Sequence, residues 1–140
     1  MLHAIGRSKG GRTTKIHLVA DGDGKPCVML LTPGNTSDHK AARQCLEAMP
    51  APAHVIADKG YDSASLRDWL QSRGTEPVIP PRRNRRVQYP YDAALYKKRN
   101  IIERSINRLK DWRRIATRFD RKARNYLASL CIAAAVIWWL

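Results

Sequence analysis

The chain has 140 residues, of which 26 are Lys or Arg and only 12 are Asp or Glu, so its formal net charge is +14 at pH 7. This length allows one domain, residues 1–140. The excess of positive charge excludes a typical enzyme that acts on small metabolites, and it favours a polyanionic partner. The three cysteines form no CxxC pair, which excludes a disulfide framework or a zinc site and predicts an intracellular protein with cysteines in its core.

The N-terminal part of the chain predicts a loop followed by a hairpin. Residues 1–14 are rich in glycine and basic residues and carry no strand signal. The segment Lys15–Ala20 alternates apolar and polar residues, which predicts a strand. An Asp-Gly-Asp-Gly turn at 21–24 then leads to a second predicted strand, Cys27–Leu31.

The middle of the chain alternates predicted helices and short strands. A helix capped by Thr36 or Ser37 is expected to run to about Met49, and a short apolar strand, His54–Ala57, ends at Asp58.

A second helix and a further strand follow Asp58. Asp62 or Ser63 can cap this helix, which is expected to reach Arg73 and to end at Gly74. The dipeptide Val78-Ile79 predicts the next short strand, which two prolines close.

The last third of the chain combines a basic loop with two helices. A helix is predicted over Tyr96–Lys110, and a break near Thr117–Asp120 leads to an apolar helix, Tyr126–Leu140. At about 15 residues the last helix is shorter than the roughly 20 that span a bilayer, so we expect a core helix and no membrane partner. The basic residues near these helices are Arg82, Arg83, Arg85 and Arg86 in the loop and Arg113, Arg114, Arg118, Arg121 and Lys122 before the last helix.

Five polar residues of the helix over Tyr96–Lys110 lie on one face. At about 100° per residue they fall within an arc of roughly 80°. They are Tyr96, Arg99, Glu103, Asn107 and Lys110, and the opposite face carries Leu95, Ile101, Ile102, Ile106, Leu109 and Trp112. A carboxylate in such a row can bind a metal ion while its basic neighbours hold phosphate. The pattern also fits an ordinary amphipathic helix in which Arg99 balances Glu103 at i,i+4.

The spacing Tyr96-x2-Arg99-x3-Glu103-x6-Lys110 resembles the C-terminal motif of DDE transposases from bacterial insertion sequences. The resemblance runs from AIGRSKGGRTTKIHLV through VIADKGYDS and PPRRNRR to the last helix. It implies an α/β, RNase H-like fold, a mixed sheet with flanking helices, which the predicted elements match from the second strand onward. The first strand, central in that sheet, is expected to be missing, so that another chain, upstream sequence or residues 1–14 would have to supply it.

The resemblance also implies metal-dependent DNA cutting and joining. Enzymes of this family use three acidic residues with two divalent ions, Mg²⁺ or Mn²⁺, about 3.5–4 Å apart. Asp58 matches the second acidic residue and Glu103 the third, and both are expected to bind metal. No residue matches the first, since residues 1–14 contain no acid and Asp21 and Asp23 lie in a turn that uses Asp-Gly for backbone reasons. The chain alone is therefore expected to be inactive.

DNA is the partner that the resemblance implies. Tyr96, Arg99 and Lys110 match motif residues, and the two cations would hold phosphates near the cut, Arg99 in a bidentate fork and Lys110 as a point charge. The loop offers further phosphate contacts and stacking faces, or else is simply solvated. The residues concerned are Arg82, Arg83, Arg85, Arg86, Tyr89 and Tyr91. The expected partners are double-stranded DNA of the element ends and target, and a second copy or an upstream transposase part, in the bacterial cytoplasm near the nucleoid.

Two other interpretations stay open. The chain could be a catalytically inactive remnant that binds DNA nonspecifically or inhibits the intact transposase. It could also be a basic structural protein, for instance one associated with the ribosome, which would explain the charge but not the Tyr-Arg-Glu-Lys spacing.

Overall fold

Five strands form one mixed sheet in the computed structural model, which describes residues 2–9, 14–111 and 123–139. The sheet has the order β3-β2-β1-β4-β5. Its strands are β1 (Leu2–Lys9), β2 (Thr14–Asp21), β3 (Pro26–Pro33), β4 (His54–Ile56) and β5 (Glu76–Val78). The helices are α1 (Asp38–Glu47), α2 (Ala64–Ser72), α3 (Ala93–Tyr96), α4 (Asn100–Lys110) and α5 (Ala123–Trp139), with 3₁₀ turns at Lys59–Tyr61 and Lys97–Arg99.

The first strand is present, so the expected loop over residues 1–14 and the missing strand were both wrong. Residues 2–9 form β1 at the centre of the sheet, antiparallel to β2 and parallel to β4. A central strand is covered on both faces and therefore shows little alternation in its sequence. Gly6 also makes the strand hard to predict, because glycine is uncommon inside strands. Packing explains its presence: a Cβ there would lie 2.9 Å from Ile102 Cγ1, so α4 approaches the backbone closely.

The hairpin of β2 and β3 confirms the prediction and extends it at both ends. Asp21 Oδ1 accepts hydrogen bonds from the backbone N–H groups of Asp23 and Lys25, at 2.9 and 3.0 Å. Gly24 has a φ of +85°, a conformation that favours glycine. The Asp-Gly pattern thus serves the turn, as the sequence indicated.

Helices cover both faces of the sheet. Ile5, Val19 and Val55 pack in one cluster with residues of α1 and α2. Ala4 and Leu18 belong to a second cluster with residues of α4 and α5. Neighbouring residues along one strand thus enter different cores, as the pleat requires.

The ends of α2 follow the sequence signals. Ser63 Oγ accepts a hydrogen bond from Leu66 N at 3.4 Å, and Gly74 follows the helix with a φ of +78°. Of the two candidate caps, Ser63 therefore performs the capping, and Asp62 is left for the ion pairs described below.

The last helix is only partly core. Tyr126, Leu130, Ala133 and Ala134 are buried, whereas Ile132, Val136 and Trp139 are exposed. Two cysteines, Cys27 and Cys131, are exposed rather than in the core, and Cys45 is buried. Within the described residues, no helix is long and apolar enough to cross a membrane. The predicted break near 117–120 and the second basic run, Arg113 to Lys122, lie outside the described ranges.

A buried hydrogen-bond chain ties the turn after β4 to the sheet. His17 on β2 is fully buried, with Nδ1 3.2 Å from the Tyr61 hydroxyl and Nε2 2.9 Å from Thr32 Oγ1. Tyr61, also fully buried, ends the 3₁₀ turn that begins directly after Asp58. The hydrogen bond therefore fixes the position of that turn.

Replacing Tyr61 with phenylalanine is expected to lower the free energy of unfolding by about 1–3 kcal/mol, because His17 Nδ1 is left buried without a partner. Urea denaturation of the two proteins measures the difference. The matched control is Tyr91→Phe, at a ring that is 38% exposed, where a change within about 0.5 kcal/mol is expected. Equal losses in the two variants would contradict this role for the hydroxyl.

Candidate metal and nucleic-acid site

The helix that carries the signature residues is built in three continuous pieces. The predicted helix over Tyr96–Lys110 is observed as α3, a 3₁₀ turn and α4, and the joining residues keep right-handed helical dihedrals. Ile102 and Leu109 are buried on the core side, as the periodicity predicted. The polar residues therefore stay on the outer face.

Asp58 lies two residues after the end of β4, where the chain leaves the sheet. Its Oδ1 accepts a hydrogen bond from Gly60 N at 2.8 Å, and 28% of the side chain is exposed. A Cβ on Gly60 would lie 2.9 Å from this same oxygen, so the turn needs a glycine for the close approach. One carboxylate oxygen is thus fixed by the turn, and the other faces Arg99.

Arg99 bridges the two predicted metal ligands. Its Nη1 lies 2.6 Å from Glu103 Oε1, and its Nη2 lies 3.4 Å from Asp58 Oδ2. The structure thus brings Asp58 next to Arg99, 41 positions further along the chain, and groups both with Glu103 around a single guanidinium. The i,i+4 pairing of Arg99 with Glu103 is confirmed, and its phosphate contact stays a prediction.

Two adjoining cavities meet at Asp58 and Arg99. One, of about 360 Å³, is also lined by Gly6, Glu103 and Lys110. It contains both predicted carboxylates, and the Lys110 side chain lies at its exposed wall.

The second cavity is larger and more basic. It has a volume of about 670 Å³ and is lined by Arg7, Lys59, Arg82, Arg83 and Tyr96, in addition to Asp58 and Arg99. Five of these side chains are cations and one is an acid, which is a composition suited to phosphate rather than to a metal ion.

The sequence analysis missed two residues of the site, Gly6 and Arg7, because it placed them in a loop. In β1 the register pairs Ala4 with Ile56, and two residues further on Gly6 comes level with Asp58. Arg7 lines both cavities, and its Nε lies 2.8 Å from Asp38 Oδ2. Only the pairing of β1 with its neighbouring strands identifies these two residues as part of a strand, and no local sequence pattern predicts that pairing.

Asp38 is held away from metal binding by two cations. It begins α1, as expected for an acid in a first helical turn, and its side chain is 8% exposed. Besides Arg7, Lys15 Nζ lies 3.2 Å from Oδ1. Both carboxylate oxygens are therefore occupied by ion pairs.

The donors fit one divalent ion better than a complete three-acid site. Asp58 and Glu103 are the oxygen ligands that Mg²⁺ prefers, and this ion is often held by one or two carboxylates plus substrate phosphate and water. Among the residues that the structure describes, no three His, Cys, Asp or Glu side chains are grouped to hold a metal. In β1 it is Gly6 and Arg7 that line the cavity with Asp58, and the expected lack of a first acid stays a prediction.

Tyr96 keeps its proton under ordinary conditions. Burial raises the pKa of its hydroxyl, and the nearby Arg99 charge opposes this without reversing it. Its ring packs edge-on against Tyr91, with centroids 5.7 Å apart. Tyr96 thus presents a neutral donor at the larger cavity.

The basic loop divides into two kinds of arginine. Arg82 and Arg85 form hydrogen bonds and ion pairs with the turn after Asp58. Arg83 and Arg86 are exposed, and no hydrogen bond or ion pair joins them to any residue in the described ranges. The prediction that all four bind DNA treated them as equivalent, and the structure separates them.

Comparisons with known proteins match one family along nearly the whole chain. The transposase DDE domain family matches residues 3–138. The chain is 36% identical over 130 residues to a putative transposase for insertion sequence element IS6501 from Brucella ovis, covering 90% of this chain and 98% of that protein. It is 34% identical over 137 residues to a putative transposase for element IS402 from Burkholderia cepacia, covering 90% of this chain and 63% of that one.

The fold also matches solved structures. The catalytic core domain of BIV integrase superposes with a TM-score of 0.62 at 15% identity, covering 96% of this chain and 80% of that chain. A chain of the simian T-cell lymphotropic virus intasome in complex with PP2A regulatory subunit B56 gamma gives a TM-score of 0.64 at 16% identity, covering 99% and 48%. At these identities the likeness concerns the fold alone, and it confirms the RNase H-like class.

Proposed function

The chain belongs to the DDE transposase family of insertion sequences, whose function is DNA transposition, and we propose that Asp58 and Glu103 are its metal-binding residues in the cutting and joining of phosphodiester bonds at element ends. The observation that carries this proposal is the shared cavity in which Arg99 bridges both carboxylates, with Lys110 beside them.

Each side chain of the cavity has a distinct task in this proposal. Asp58 and Glu103 would hold Mg²⁺ or Mn²⁺, which when bound activates an attacking oxygen and stabilises the leaving oxygen. Arg99 has more N–H donors than the two carboxylates accept, so the same guanidinium can also donate to a DNA phosphate. Lys110 adds a point charge at the exposed wall, and Tyr96 donates its hydroxyl from the other cavity.

The proposed partner is double-stranded DNA, with a second copy of the chain or an upstream transposase part completing the site. The net charge of +14 and the five cations of the larger cavity support a phosphate-bearing ligand. A completing partner is favoured because β1 carries no acid where a third carboxylate would lie.

A second candidate function follows from the same observation on β1. With Arg7 in place of an acid, the chain would be an inactive remnant that binds DNA nonspecifically or inhibits the intact transposase. The expectation that the chain alone does not cut DNA holds for both functions, because the first acidic residue is missing in either case; the two functions differ in whether a completing partner restores cutting.

One assay separates the two functions. The chain and its Asp58→Asn variant, each with and without the upstream transposase part, are incubated with a supercoiled plasmid that contains the DNA flanking the gene, in Mg²⁺ or Mn²⁺. Nicking by the wild type that the variant lacks supports the catalytic proposal. Binding of the plasmid without nicking in either ion supports the remnant, and it should be accompanied by inhibition of an intact transposase of the same element. Failure to bind DNA would overturn both.

A further inference from the structure

A buried acid beside the site has no part in the proposed chemistry. The side chain of Asp62 is fully buried, and its Oδ1 accepts a hydrogen bond from Arg67 Nε at 2.9 Å. Its Oδ2 accepts one from the backbone N–H of Arg82 at 2.8 Å and forms an ion pair with Arg85 Nε at 2.7 Å. A buried carboxylate with three such partners is held in one orientation.

The ionised form of Asp62 is the one that these contacts favour. Burial acts to raise its pKa, but the hydrogen bonds from Arg82 N and from Arg67, together with the charges of Arg67 and Arg85, outweigh burial and lower the pKa. Asp62 is therefore an anion within a cluster of cations.

The basic loop, defined as residues 80–91, is fastened to the turn after Asp58 through these contacts. Arg85 Nη2 donates to Asp62 O at 3.1 Å, and Arg82 donates to the carbonyls of Lys59 and Gly60 at 3.2 and 3.0 Å. Within the loop, Gln88 Nε2 donates to the carbonyls of Arg82 and Arg85, at 3.0 and 2.8 Å.

Arg67 holds both ends of the same loop. Its Nη2 donates to Ile79 O at 2.6 Å, next to the start of the loop. Its guanidinium lies 4.5 Å from the centre of the Tyr89 ring, near the end of the loop. The whole loop is thus ordered around one buried ion pair, Arg67 with Asp62.

We propose that Asp62 is a positioning residue: it engages Arg82 and Arg85 in contacts that hold the loop in place, so that Arg83 and Arg86 are presented as the phosphate-binding arginines of the loop. The assignment of phosphate as the ligand rests on the proposed function, whereas the ordering of the loop does not. Arg83 lines the larger cavity with Asp58, so the ordered loop places a cation beside the proposed metal site.

Native-state trypsin digestion tests the ordering of the loop. Asp62→Asn is expected to speed cleavage after Arg82–Arg86 at least about tenfold, because loss of a charge-assisted anchor raises the population of the open loop. The control is Asp68→Asn, an exposed acid on α2 with the same change in charge. Mass spectrometry identifies the first bonds cut.

A second variant covers the case in which Asp62→Asn unfolds the whole chain. Arg85→Gln leaves the Asp62–Arg67 pair and the Arg82 contacts intact and removes the ion pair and the hydrogen bond from Arg85 to Asp62. It should selectively accelerate cleavage after the remaining arginines of this stretch, Arg82, Arg83 and Arg86. If a folded Asp62→Asn or Arg85→Gln protein is cut at the wild-type rate, or if all sites accelerate equally in Arg85→Gln, the positioning role is overturned.

DNA binding tests the division of the arginines. For a random duplex, Arg83→Gln and Arg86→Gln should each reduce the slope of log affinity against log salt by about one, the value for one lost phosphate contact. Arg85→Gln should instead weaken DNA binding mainly because the loop becomes disordered. The Arg83→Gln substitution should then reduce DNA affinity less in the Arg85→Gln background than in the wild-type chain. Additive losses would overturn the division, and a chain that binds no DNA would refute the proposed function while leaving the protease result standing.

Discussion

Replacing Ala4 with proline is expected to destroy the cooperative fold of this domain. Ala4 lies in the part of β1 that is paired on both sides, opposite Ala20 of β2 and Ile56 of β4. Proline has no N–H and does not fit the interior of a sheet, where its ring also displaces the neighbouring strand. The loss should exceed about 3 kcal/mol, which is a large share of the 5–15 kcal/mol that stabilises an ordinary domain.

The measurement is thermal or urea unfolding followed by circular dichroism. Ala4→Gly is the matched control, because it keeps the N–H and removes one buried methyl group, at a cost of about 1 kcal/mol. If Ala4→Pro unfolds with nearly the same midpoint as Ala4→Gly, then β1 does not hold the two halves of the sheet together, and the central position of residues 2–9 is wrong.

This dependence on β1 shows what the sequence could and could not reveal. The hairpin strands alternate and the amphipathic helix has a 3.6-residue period, so local patterns predicted β2, β3 and the helix that bears Glu103. The β1 segment has no such period, because it is buried on both faces and contains Gly6 for close contact with Ile102. Its structure depends on pairing with β2 on one side and with the distant β4 on the other, and a local pattern does not contain that pairing.

The site, like the fold, could be predicted from the sequence only in part. Asp58 and Glu103 were predicted as metal ligands from the resemblance to DDE transposases, Glu103 also from its place on a helix face, and the structure brings them to a common cavity. The different environments of Arg82 and Arg83 could not be predicted, since adjacent residues of one type in a loop look alike in sequence. Arg82 is distinguished by its hydrogen bonds to residues about twenty positions away, from its backbone N–H to the buried carboxylate of Asp62 and from its side chain to the carbonyls of Lys59 and Gly60.

The role of Arg99 connects this site to its function. A guanidinium that bridges two carboxylates offsets part of their negative charge, so in the absence of other cations it reduces the mutual repulsion that would separate them. The pair with Glu103 is largely exposed, and an exposed ion pair stabilises by about 1 kcal/mol or less. A divalent ion therefore competes with Arg99 at little cost.

Glu103→Gln is expected to weaken Mn²⁺ binding by about ten- to a hundredfold while leaving affinity for duplex DNA unchanged or slightly raised. The amide retains the shape of the side chain but removes one of two anionic ligands. Removing a negative charge beside Lys110 and Arg99 also cannot weaken attraction to phosphate. Electron paramagnetic resonance of free Mn²⁺ measures the first affinity, and fluorescence anisotropy of a labelled duplex measures the second.

Glu47→Gln provides the matched control for this variant. Glu47 also pairs with an arginine four residues earlier, with Arg43 Nε 3.0 Å from its Oε1, and its side chain is 54% exposed against 53% for Glu103. It lines neither of the two cavities at Asp58. Glu47→Gln should therefore change neither affinity. If Glu103→Gln leaves Mn²⁺ affinity unchanged, as the control does, or weakens only DNA binding, then Glu103 is a surface residue of the helix and does not bind the metal ion.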